Sequence, residues 1–145
     1  MKVKYVSVVV LLTVLFYSCS IDEEEYFDYT VSISNNTSEN LQIEVYDRND
    51  SIISNYIILP MSSIPPINYS ATSFSGFIFS GDSIVFKFEN HKGYSCAFRQ
   101  NGDEFCFNSK SPFDGSEESF TNLEGNLYEF IVDEEIRENA FELPN

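Results

Sequence analysis

The chain contains no tryptophan, one histidine, and eight basic residues against twenty-three acidic ones. Each scarcity closes off a class of function. A sugar-binding platform favours tryptophan, whose large face stacks on a ring. Tyrosine and phenylalanine would have to substitute, and most of these are needed for a core. The one histidine, His91, stands beside Lys92 in a stretch that reads as a turn, with no neighbour to make it a base or a ligand. The shortage of lysine and arginine argues against nucleic acid, because an acidic surface repels a phosphate backbone. A Gly-x-Ser-x-Gly elbow, a phosphate loop and a His-Glu-x-x-His pair are also missing. Asp47-x-Asn49-x-Ser51 opens like a calcium loop, but Ile52 stands where glycine is required and Ile58 where the bidentate glutamate belongs. The expectation is a protein that is not an enzyme and uses neither metal nor cofactor.

No apolar run reaches the roughly twenty residues that cross a bilayer. Val6 to Tyr17 supplies about twelve, after Lys2 and Lys4 and before Ser18-Cys19. A basic start, a short apolar centre and a small residue at the cut describe a secretory signal. Phe16-Tyr17-Ser18-Cys19 resembles a bacterial lipobox, although the bulky Phe16 and Tyr17 depart from the usual Leu-Ala/Ser pattern. Loose boxes of this kind, ending in Ser-Cys-Ser, are similar to those of Bacteroidota lipoproteins. The resemblance implies that residues 1–18 are a signal peptide and that Cys19 carries lipid. An uncleaved anchor, or a plain signal with an incidental cysteine, is the alternative.

Asp22, Glu23, Glu24 and Glu25 follow directly. Such a run stays extended and solvated beside an anionic headgroup surface. It resembles the surface-export signal of Bacteroidota lipoproteins, which implies an outer-membrane protein facing outward. A flexible acidic tether on the periplasmic side is the other reading. Residues 19–28 are thus expected to be a lipidated, acidic tether, with residues 29–145 as one domain.

Removing eighteen residues from 145 leaves 127, the size of one domain. The loss of Lys2 and Lys4 leaves six basic against twenty-three acidic side chains, a formal charge of −17. The folded part would not adhere to anionic lipid, so the membrane would be reached through the acyl chains, two or more of which hold firmly.

Twenty-three phenylalanines and tyrosines favour strands and provide apolar area. Period-two alternation marks Tyr29 to Ser34, Leu41 to Tyr46 and Ser83 to Phe88, with Ile52 to Leu59 a further apolar strand. Asn35-Asn36 opens a predicted turn, and Pro60, Pro65 and Pro66 mark edge segments or a crossover. Shorter strands are expected at Ser70 to Phe74 and Phe77 to Phe79, with a hairpin of Tyr94 to Gln100 and Glu104 to Phe107. Ser109 to Asn126 reads as a polar loop, and Leu127 to Val132 as a last strong strand. Asp133 would cap a short C-terminal helix, with Glu134 and Glu135 in its first turn and Ile136, Ala140 and Phe141 or Leu143 toward the sheet. The pattern predicts a mainly β domain, an antiparallel β-sandwich of Ig-like or Greek-key type.

With Cys19 given to lipid, Cys96 and Cys106 remain, and an oxidising compartment permits them to bond. A two-residue turn at Asn101-Gly102 would put them on opposite faces of a hairpin. A three-residue loop, Gln100 to Gly102, sets them opposite each other on one face. A redox-active or metal-binding pair would need closer spacing or a third ligand. Asp50-Ser51-Ile52 and Asp82-Ser83-Ile84 resemble the Bacteroidota O-glycosylation triplet, which implies acceptors at Ser51 and Ser83; ordinary turn chemistry before a strand reads equally well.

The loop at Asn35-Asn36, the strand Asp82 to Val85 and the Tyr128-x-Phe130 strand running into an acidic helix together resemble small Bacteroidota lipoproteins. That resemblance implies an address and a shape, and no activity. The expected function is a non-enzymatic surface lipoprotein presenting loops to a protein or glycan partner. The alternative is a periplasm-facing structural, immunity or envelope-assembly lipoprotein.

Overall fold

The computed structural model describes residues 24–78, 81–98, 104–116 and 118–144. The strands are β1 (Phe27–Asn36), β2 (Leu41–Tyr46), β3 (Ile52–Ile58), β4 (Ser62–Ser63), β5 (Ile67–Ala71), β6 (Ser83–Lys87), β7 (Lys92–Ala97), β8 (Thr121–Glu124), β9 (Leu127–Asp133) and β10 (Phe141–Glu142). Among the described residues one α-helix, α1 (Glu134–Glu138), precedes β10. In the first sheet β4 and β5 share one edge of β1, and β9 then β8 lie on its other side. The second sheet runs β10-β7-β6-β2-β3. This is the expected mainly β, two-sheet arrangement with a short late helix. Among the described residues no helix is long and apolar enough to cross a membrane.

Alternation decides which side chains meet between the sheets. Val31 and Ile33 of β1, Leu41, Ile43 and Val45 of β2, Ile84 and Phe86 of β6, and Phe130 and Val132 of β9 are all buried. Burial of each large apolar side chain contributes about 1.5–3 kcal/mol. Phe130 is a hub: its ring centre lies 5.7 Å from Phe86, 5.3 Å from Phe107 and 5.4 Å from Phe120. Much of the aromatic content is therefore core.

Several local expectations are corrected. Asn35 and Asn36 still belong to β1, Asn36 pairing with Asp133, so the turn expected over 35–40 is confined to the residues after them, which bend at 37–39. The Asn35 amide explains this: its Nδ2 donates to the carbonyls of Glu39 (2.8 Å) and Ile58 (3.0 Å), while its Oδ1 accepts from the Thr37 hydroxyl (2.7 Å) and N–H (3.1 Å). A buried asparagine with every group satisfied stitches the end of one sheet to the other. β1 and β9 run parallel, the one parallel pair among the described residues. Sequence alternation shows a strand's faces and carries no information on its direction.

β5 ends at Ala71, short of Phe74. Phe77 is buried outside any strand, its N–H donating to the Pro112 carbonyl at 2.8 Å. Gly76, at φ +61°, allows this approach, since a Cβ there would stand 2.5 Å from the Pro112 oxygen. The polar stretch 109–126 contains β8, which pairs with β9. The turn after β6 centres on Asn90 and His91, both near φ 60°, with the Lys92 N–H donating to the Glu89 carbonyl. Gly93 already belongs to β7, opposite Phe141 of β10.

Among the described residues, the hairpin expected across 94–107 is not a ladder: β7 ends at Ala97 and residues 104–107 are not strand, while the Ser95 N–H donates to the Phe105 carbonyl at 2.9 Å. β10 pairs with the start of β7, at Lys92 and Gly93. The helix also stops early. Asp133 caps it, accepting from the Ile136 N–H at 3.0 Å, but Phe141 has entered β10. Ile136, Ala140 and Phe141 pack on the core as expected.

Candidate interaction surface

Cys19, Asp22 and Glu23 lie outside the described residues; Glu24 and Glu25 are exposed ahead of β1. β1 opens at Phe27, two residues inside the segment read as tether. The chain enters beside the β8–β9 turn, where the Asn126 amide donates to the Asp28 carbonyl at 3.0 Å. Cys96 and Cys106 form a disulfide with Cα atoms 4.7 Å apart, without the ladder that the register argument invoked.

Ser51 and Ser83 occupy unlike places. Ser51 is exposed in the loop before β3, whereas Ser83 is half-buried in β6, opposite Tyr46 on one side and Ala97 on the other. In the Ser51 loop the Asp47 carboxylate accepts the N–H groups of Asn49 and Ser51, both at 2.9 Å. Those two backbone bonds, Ser51 first, hold the Asp47 carboxyl below its usual range. The loop thus satisfies itself as a local turn. No group of three or more His, Cys, Asp or Glu positioned for a metal occurs among the described residues. His91 is exposed at its turn.

Two charges, half-buried Lys110 and buried Glu44, escaped sequence reasoning. Lys110 donates its Nζ to the Ile131 carbonyl and sits 4.6 Å from the centre of the Phe130 ring. Burial pushes its ammonium down, the Asp133 charge opposing. It lines a cleft of about 540 Å³ with Glu118, Asp133 and Glu135. Glu44 lies on the outer face of the second sheet and is only 6% exposed. It accepts from Lys87 Nζ at 2.6 Å, from Gln42 Nε2 at 2.9 Å and from the Tyr46 hydroxyl. The Lys87 bond, then that from Tyr46, holds its carboxyl below the usual range, and the same contact pushes the Tyr46 hydroxyl up to about 12. Glu44 is the acid nearest β3 in the sheet, opposite Asn55, and Lys87 neutralises it.

The most distinctive surface is one without charge. From Ser51 to Gly81, thirty-one consecutive residues, the chain has no Asp, Glu, Lys, Arg or His, although charged residues make up 21% of it. This stretch forms β3, β4 and β5, hence one edge of each sheet and the side of the sandwich between them. Of the eight large apolar side chains exposed among the described residues, five are here: Ile52, Ile53, Ile57, Leu59 and Met61, with Ile57 at 72% and Met61 at 76%. A cleft of about 210 Å³ opens between the two edges. Ser54, Tyr56, Ile64 and Ile67 line it together with Ile33, Ile43, Val45, Phe77 and Ile84. A count of charge along the chain would have revealed this side, whereas strand periodicity conceals it because alternation is present either way.

β3 ends its sheet, so its outer backbone N–H and C=O groups face outward, flanked by aliphatic side chains. Comparison with known proteins finds no matching family model, no matching curated protein and no matching solved structure.

Proposed function

We propose that this chain is a non-enzymatic lipoprotein, held at the outer membrane by acyl chains on Cys19 and exposed at the cell surface, that works by binding protein through its uncharged side. The observation that carries the reading is the stretch from Ser51 to Gly81, free of charge and folded into one side with five large apolar side chains exposed. A formal charge of −15 keeps such a molecule apart from others, and the neutral side is where that repulsion is weakest. Large aliphatic side chains left exposed on one strand and the loop after it are the kind of feature that marks interaction sites. Its side chains are aliphatic, which suits a protein partner; a glycan would ask for flat aromatic faces. The tether enters at one end of the sandwich and β3 runs along its flank, so a membrane-anchored molecule keeps this side open. Any O-glycan would sit on Ser51, whose hydroxyl is exposed, in preference to Ser83.

The test uses the full chain in its own cells, with a photo-cross-linking residue at position 57 or, as control, at Asn122 on exposed β8. Position 57 should give a defined protein adduct and position 122 none. Equal labelling of both, or of neither, contradicts the assigned surface. Proteinase K added to intact cells should degrade the chain, and Cys19→Ser should release it from the membrane fraction. Full protection from the protease, or unchanged membrane retention, contradicts the address.

A further inference from the structure

We infer that the partner which β3 fits is a second copy of this chain, joined edge to edge about a two-fold axis at Asn55. The inference rests on the reading of the uncharged side as a protein-binding surface and names its occupant. β3 reads Ile52-Ile53-Ser54-Asn55-Tyr56-Ile57-Ile58. About its centre this segment is nearly a palindrome: Ile52 mirrors Ile58, Ile53 mirrors Ile57, and Ser54 mirrors Tyr56. Two antiparallel copies related by a two-fold axis place each residue opposite its mirror, as an isologous interface requires.

The central pairs of that register carry the fit. Asn55 faces Asn55 of the second copy on the outer face, amide against amide, with Ile57 beside it, while Ile53 sits at a bulge and turns towards Gly81, outside the regular pairing. On the inner face Ser54 faces Tyr56 of the second copy, small against large. Ser54 and Tyr56 both line the cleft between the sheets, so the small residue leaves room where the second copy brings a ring. β3 slips one residue against β2 near Ile53, where Val45 pairs with Ser54 and Tyr46 with Ile52. The central pairs, Ser54 to Tyr56, lie in the regular part of the strand.

Charge decides between a second copy and repulsion from it. The paired segment Ile52–Ile58 holds no charged residue, so no carboxylate meets a carboxylate within it. The closest sheet acid, Glu44, is already paired with Lys87. β3 carries no charge and no proline within it, the devices that ordinarily keep an edge strand single. The two second sheets would join into one of ten strands.

The register predicts a specific cross-link. Directly opposed residues of an antiparallel pair have Cα atoms about 4.5–5.5 Å apart, within disulfide reach. Asn55→Cys in the full chain, isolated from oxidising conditions, should run on a non-reducing gel at twice the monomer mass. Ile57→Cys alone should stay monomeric, because position 57 lies off the two-fold axis. Adding Ile57→Lys to Asn55→Cys should remove the dimer band, while protection of Cys96 and Cys106 from alkylation shows that the chain is still folded. Equal dimer from Asn55→Cys and Ile57→Cys would overturn the two-fold register. Absence of the Asn55→Cys dimer would overturn the second copy as occupant, and a heterologous adduct from the photo-cross-linker at position 57 would then leave only the broader reading standing. If neither experiment gives a product, both readings fall.

Discussion

The sandwich has two unlike flanks. Where β10 meets β7, the edge strand is two residues long, and the Cys96–Cys106 disulfide, Gly93 and α1 crowd the neighbouring strand. Tyr94 donates to the Ile136 carbonyl at 2.7 Å, and Arg137 holds Glu39 at 2.7 Å. The β8 edge carries Glu124. The other flank has none of this protection along β3, and only the proline-interrupted β4 and β5 face it. Edges left open cost a protein specificity against aggregation, so most are blunted by charge, shortness or covering. Among the described edge strands, β3 is the longest, and it carries neither charge nor proline.

The contrast can be broken by mutation. The largest effect should fall on the closed side. Phe130→Ala removes the ring shared by Phe86, Phe107 and Phe120, and a buried Phe→Ala change costs about 3–5 kcal/mol. Ile57→Ala on the bare flank should stay within about 0.5 kcal/mol, as exposed substitutions do. Urea unfolding of both variants checks this, and equal losses would mean that the bare flank is structural. Next in size is the disulfide. Replacing Cys96 and Cys106 together by serine should lower stability by about 2–3 kcal/mol in the chain-entropy account, read as a lower denaturant midpoint in the same assay.

The smallest effect belongs to the charge that borders the bare edge. The Glu44 carboxyl is depressed when folded, so its contribution is complete above the ordinary carboxylate range. It is lost as pH falls through the depressed value. Glu44→Gln should therefore cost about 1 kcal/mol at neutral pH, since Lys87 is partly exposed and the pair is screened. The gap between variant and parent should close as the medium is acidified below that range. A gap that stays constant with pH would show that Glu44 acts by shape and not by charge.

Much of the fold was legible because alternation and burial share one cause. Leu41, Ile43 and Val45 are apolar at every second position and all three are buried; Ile84, Phe86 and Phe88 behave alike. Asp133 was readable as a cap because only a short acceptor side chain can reach the free N–H groups of a first turn. The misses have a common origin in partners distant along the chain. Asn35 looked like turn chemistry alone, yet beside its local bond from the Thr37 N–H its Nδ2 reaches the Ile58 carbonyl of the other sheet. Phe105 looked like the return strand of a hairpin, yet it is not strand, and the start of β7 pairs with β10 from the far end of the chain. Lys110 looked like loop polarity, yet it rests against Phe130.

What is local was decided in the chain itself: the strand faces, the helix cap, the uncharged stretch from Ser51 to Gly81 and the mirror order of β3 are properties of neighbouring residues. Folding decided what depends on distant pairs. It made β1 and β9 parallel, set Cys96 against Cys106, paired Glu44 with Lys87, and left β3 at the end of its sheet. A side chain's preferences are encoded where it stands, but an edge exists only once every other strand has found a neighbour.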